Sequence, residues 1–87
     1  MELLGFEELS LRPSPIAYRR TYDVKASIRI RSGPDLLCSA VVQLEEDALG
    51  TSTVSVSLVG TPNAPVIPVV RCIRDAVVEL KKQGELP

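Results

Sequence analysis

The densest set of groups able to do chemistry is Glu45-Glu46-Asp47, three consecutive carboxylates that can offer oxygen ligands to a hard cation. Flanked by apolar runs, the same triplet is the composition of a solvated hairpin turn, and that expectation carries more weight. Nucleophilic catalysis would need a serine or one of the two cysteines, Cys38 and Cys72, beside a general base. The chain has no histidine, so the base would be a lysine or a carboxylate, and none stands at a spacing that places it beside a nucleophile. With no histidine and no pair of cysteines at zinc-ligand spacing, a metal site is not expected. Gly50, Gly60 and Gly84 fit turns and caps rather than a loop that cradles phosphate. The expectation is a chain with no catalytic residues, no metal and no cofactor.

The other candidate chemistry is basic. Lys25, Arg29 and Arg31 fall on one face of an alternating segment, just after Arg19-Arg20, and neighbouring segments bring Ser39, Gln43, Ser55 and Ser57 to the same side. Such a face can meet RNA phosphates, which makes Lys25, Arg29 and Arg31 the candidate contact for an anionic partner. No aromatic residue for base stacking joins them, since Tyr22 falls on the opposite face. Ten basic and eleven acidic residues leave a net charge of −1, without the positive excess usual in a nucleic-acid binder. A hydrated sheet face is the weightier expectation, and nucleic acid the less favoured partner.

These side chains need elements to hold them. From Tyr18 to Arg31, Tyr22, Val24, Ala26, Ile28 and Ile30 alternate with polar residues, the period of a strand covered on one face and wet on the other. Ser32-Gly33-Pro34-Asp35 is a turn by composition. A second strand over Leu36–Glu45 turns Cys38, Ala40, Val42 and Leu44 inward, and a third over Thr51–Val59 does the same with Val54, Val56 and Leu58. Short connections make these hairpins of an antiparallel meander. The first eleven residues are ambiguous: Leu3, Phe6 and Leu9 sit three apart as on a helix, while Phe6 to Leu11 also suits an edge strand, which is preferred. Arg12-Pro13-Ser14-Pro15 interrupts any regular element.

The clearest periodicity lies between Pro62 and Gly84. Val66, Val70, Ile73, Val77 and Leu80 share one side of a helix, and Arg71, Arg74, Asp75, Lys81 and Lys82 the other. Pro65 and Pro68 suit its first turn, and Lys81, Lys82 and Gly84 its last. The reading is α+β: one domain over residues 1–87, with an N-terminal arm or edge strand (1–17), antiparallel strands (18–59) and a helix (65–84) packed on one face of a three- or four-stranded sheet. The core would comprise Val24, Ala26, Ile28, Ile30, Cys38, Ala40, Val42, Leu44, Val54, Val56, Leu58, Val70, Ile73, Val77 and Leu80.

At 45% hydrophobic but only 3% aromatic residues, that core must be aliphatic. A chain of 87 residues buries only a little over ~60% of its unfolded surface, so association would help it. The strand Thr51–Val59 has neither lysine nor proline to block pairing at an edge, and Leu37, Val41 and Val59 face outward, so an edge-to-edge or sheet-on-sheet dimer is expected. No apolar run approaches the ~20 residues that span a bilayer, and the first residues lack the pattern of a secretory signal, which suggests a soluble, intracellular protein. Cys38 and Cys72 are expected as free thiols, though a bridge tying sheet to helix is conceivable.

One family resemblance emerges from the same stretch. Pro62-Asn63, then Val66-Ile67-Pro68-Val69-Val70-Arg71-Cys72-Ile73, and later Gly84-Glu85-Leu86-Pro87, resemble the segment of the SecB-type protein-export chaperones in which an asparagine and an aliphatic run lead to Pro-x-x-Arg, an amphipathic helix, and then glycine and proline. Pro68 and Arg71 would be the Pro-x-x-Arg pair, and Leu37-Cys38 resembles the family's Leu-Cys in a middle strand. Where that family carries a carboxylate after the pair, Ser39 stands here. The resemblance implies a cytoplasmic, non-catalytic holdase that forms dimers or tetramers and binds unfolded polypeptides in apolar grooves between sheet and helix; the candidate client or partner contacts in this chain are Leu37, Val41, Val59, Val66 and Val69. A structural subunit of a viral or other homo-oligomeric assembly, and an RNA-binding module, are the alternatives.

Overall fold

Four strands and a helix follow one another: β1 (Glu2–Arg12), β2 (Arg19–Arg29), β3 (Leu36–Glu46), β4 (Ser52–Leu58) and α1 (Val66–Gln83). The computed structural model describes residues 1–13, 18–31, 33–60 and 64–87. Pro15 and Ser32, assigned above to chain breaks, and Pro62 and Asn63, which open the family-like segment, lie outside the described residues. The sheet is an antiparallel meander in the order β1-β2-β3-β4, with the helix packed on one face, so the fold is α+β with four strands.

Alternation decides which face is covered. Tyr22, Val24, Ala26 and Ile28 of β2 stand opposite Val42, Ala40, Cys38 and Leu36 of β3, and all but Leu36 are buried. On β4, Val54 and Val56 face Leu44 and Val42, while Leu58 faces Ala40; all three β4 residues are half-buried, as befits an edge strand. Ile30, expected in the core, lies just past the end of β2 and is half-buried.

The ambiguous N-terminus is a strand, and its helix-like spacing has a structural cause. Leu3, Phe6 and Leu9 stand opposite Ile28, Ala26 and Val24, so a step of three on β1 matches a step of two on β2. Register shifts between Leu3 and Gly5 and between Phe6 and Glu8 absorb the extra residues, as β-bulges do. All three apolar residues therefore reach the covered face and pack against the core.

The helix crosses that face diagonally. Its Cys72 lies against the Leu3 backbone at the start of β1, and its last turn places Lys81 on Ser52 at the start of β4, which is the opposite end of the sheet. Val69, Ile73 and Val77 are the helix residues fully sealed from water, each worth about 1.5–3 kcal/mol of burial. The buried stripe is thus rotated from the expected one. Val70 and Leu80 are half-buried on its flanks, and Val66, at the helix start, is half exposed. Gly84 ends the helix at φ 71°, a left-handed backbone that favours glycine. Its N–H donates to Lys81 O at 3.1 Å and the Glu85 N–H to Leu80 O at 3.0 Å, which together form a Schellman cap. Beyond it Leu86 packs on the core, and the Tyr22 hydroxyl donates to Pro87 O at 2.9 Å, closing the open end of the sheet.

Candidate functional site

The three carboxylates Glu45, Glu46 and Asp47 are each tied into the fold. Asp47 Oδ1 accepts the N–H groups of Leu49 and Thr51, both at 2.9 Å, and Gly50 closes the turn with φ 83°. Glu45 meets Arg19 (Nε–Oε1 2.9 Å), and Glu46 meets Lys81 from the helix end (Nζ–Oε1 3.2 Å). The carboxylate triplet is therefore split among three neighbours: adjacent residues of a strand point to opposite faces, and the third residue belongs to the turn. No group of three or more potential ligands is gathered to hold a metal ion among the described residues.

The basic strand is compensated in the same way. Asp23 pairs with Arg12 of β1, Lys25 lies 3.9 Å from Glu8, and Arg29 lies 4.0 Å from Asp35. Arg19 falls on this outer face, whereas Arg20 pairs with Leu44 in register and so lies on the other. Arg31 stands past the end of β2 and is exposed. The result is a mosaic of ion pairs rather than a row of free cations. It also explains the buried Thr21, which sits between Arg12 and Gln43 in register and beneath the Arg12–Asp23 and Arg19–Glu45 pairs.

Cys38 and Cys72 are free thiols. Burial pushes both thiols above their ordinary pKa, at Cys72 against a partial pull downward from a hydrogen bond with the Leu3 backbone. Both are held in the protonated, weakly nucleophilic form at neutral pH.

Apolar side chains also stand exposed. On the outer face Leu37, Val41 and Val59 meet at one corner: the Val59 N–H donates to Ser39 O at 2.9 Å, so Val59 sits opposite Ser39 with Leu37 and Val41 as its diagonal neighbours. Leu37 is 52% exposed and Val59 61%, while Val41 is half-buried. On the other side of the sheet, at the same end, the helix begins with Val66 (50% exposed) and Ile67 (69%). Between this first turn and the start of β1 lies a groove of about 350 Å³ lined by Met1, Ile67, Pro68, Arg71, Cys72 and Asp75. Family models, curated proteins and solved structures were all compared with this chain, and none matches it.

Four of the five expected contact residues thus lie at one end of the molecule: Leu37, Val41 and Val59 on one side of the sheet and Val66 on the other. The fifth, Val69, is a correction. It is fully buried against the sheet because the stripe that seals the helix passes through Val69, Ile73 and Val77, and it has no surface to offer. Ile67 takes its place as the most exposed aliphatic residue of the helix. Its signal was the pair Val66-Ile67 itself, because adjacent helical residues lie 100° apart and cannot both centre on one buried stripe.

Proposed function

We propose that this chain is a non-catalytic polypeptide-binding module that self-associates and holds extended or unfolded segments, in the manner of a SecB-type chaperone acting in the cytoplasm. The supporting observation is the concentration of exposed aliphatic side chains, Leu37, Val59, Val66 and Ile67, at one end of a sheet whose ionisable groups are mostly paired. Exposed apolar clusters of this kind mark surfaces for apolar partners. An antiparallel sheet followed by a helix is also the element order that the resemblance implies. No helix of the described chain is long and apolar enough to cross a membrane.

The test is light scattering of an unfolded, apolar protein diluted into buffer with and without this chain, repeated across salt. The expected outcome is a client kept soluble with little salt dependence. Replacing Leu37 and Val59 together by serine should lower client affinity by about tenfold or more, given ~1.5–3 kcal/mol per buried aliphatic side chain. Unchanged holding by the double variant would remove the outer-face corner from the site. Binding that instead falls steeply with salt and is lost in Lys25→Ala and Arg29→Ala would replace this reading with an anionic partner.

A further inference from the structure

The way this chain self-associates can be placed on one edge of its sheet. β4 is the last strand of the meander, so one side of it is unpaired among the described residues. Which of its backbone groups are free follows from the ladder. The Val59 N–H donates to Ser39 O and the Asp47 N–H to Thr51 O, so the odd-numbered residues of this segment turn their backbone groups toward β3. In an antiparallel ladder that role alternates, leaving the N–H and C=O of Ser52, Val54, Val56 and Leu58 directed away from the sheet. Of these, Val54, Val56 and Leu58 have half-buried side chains that form the uncovered rim of the core.

The two edges are not equal. β1 is broken by two register shifts and carries Glu2, Glu7 and Glu8, features that keep an edge from pairing. β4, Ser52-Thr53-Val54-Ser55-Val56-Ser57-Leu58, has no charge, no proline and no register shift against β3. We propose that β4 pairs antiparallel with β4 of a second copy about a two-fold axis through Ser55. In that register Ser55 faces Ser55, Thr53 faces Ser57, Val54 faces Val56 and Ser52 faces Leu58. The whole strand is paired, its free backbone groups are satisfied, hydroxyl faces hydroxyl on the outer face, and Val54 and Val56 extend one apolar surface across the axis. No like charges meet. The two sheets become one continuous sheet, and the helices cover the same side of it.

This inference rests on the reading of the chain as self-associating, and cysteine placement separates the two. In a Cys72→Ser background, Ser55→Cys brings two thiols together across a pair whose Cβ atoms stand ~4.5–5.5 Å apart, close enough to bridge after small adjustment, whereas Ser57→Cys leaves its thiols four residues out of register. Mild oxidation should yield covalent dimer from Ser55→Cys and at least tenfold less from Ser57→Cys. In the otherwise native chain, Ser55→Lys should lower the mass in light scattering from that of two chains toward the 9.4 kDa of one, with circular dichroism unchanged. A dimer that crosslinks equally at both positions, or that survives Ser55→Lys, overturns the edge pairing while leaving self-association standing. A monomer that crosslinks an added apolar peptide at Ser55→Cys also overturns it, and assigns the edge to clients instead. A monomer that holds no client overturns both readings.

Discussion

Ile73 shows how a helical position is decided by what lies beneath it rather than by its type. It is sealed between Val69 and Val77 against the sheet, so Ile73→Ala should cost about 2–5 kcal/mol in denaturant unfolding. Val66→Ala, at a half-exposed position, should stay within ~0.5 kcal/mol. Equal effects would mean that the buried stripe is wrongly placed. The sequence alone marked Ile73 and Val77 but chose Val70 over Val69, because six aliphatic residues in the first two-thirds of α1 trace two overlapping stripes. Only the diagonal path, which carries the helix start past the end of the sheet, selects between them. The thiols give a second residue-scale test. A thiol whose pKa is raised on folding keeps its proton when the unfolded chain has lost its own, so the unfolded state binds fewer protons and stability falls as pH rises. The loss should begin near the ordinary thiol pKa of about 8.5–9 and continue until the folded-state thiols ionise. Thermal midpoints between pH 7 and pH 10 should therefore drop more for the native chain than for a Cys38→Ala, Cys72→Ala variant. Parallel curves would show that the two thiols are not the cause.

At the scale of elements, β2, β3 and β4 were legible because unbroken alternation has one structural meaning, and each lies within two residues of its expected bounds. β1 was only half legible. Two bulges stretch its inward spacing from two residues to three, and a step of three is also what a helix would show. The information was present, but its interpretation depends on a partner strand that period alone does not name. The outer face was legible as a row of cations and not as a mosaic, because the carboxylates that neutralise it come from β1, β3 and the loop before β3. The helix end was fully written in Lys81, Lys82 and Gly84, and it can be tested there. With φ 71° at Gly84 and open space around it, Gly84→Ala meets no steric neighbour and should cost only the left-handed backbone penalty, about 1–2 kcal/mol. Loss of more than that in urea unfolding would show that the cap also holds Leu86 and the Tyr22–Pro87 contact in place.

For the molecule as a whole, the decisive quantity is how much core one copy can close by itself. The helix seals Val69, Ile73 and Val77, and the segment after Gly84 closes over Tyr22, yet Val54, Val56 and Leu58 on the β4 edge remain half open to water. A chain of 87 residues has little stability in reserve, so covering that rim is worth a large fraction of it. If a second copy provides the cover, folding and association are linked, and stability must depend on protein concentration. Each tenfold rise in concentration adds about 1.4 kcal/mol per dimer to the free energy of the assembled state. A domain of this size gains roughly 4–8 °C in melting temperature per kcal/mol, so from ~1 to ~100 μM the midpoint should rise by several degrees or more. Ser55→Lys should flatten that dependence while leaving the low-concentration midpoint close to the native one, since the substitution touches only the outer face of the edge. A native midpoint that stays constant over the same range would mean that one copy closes its own core, and that the half-open β4 rim is simply the cost of a small sheet.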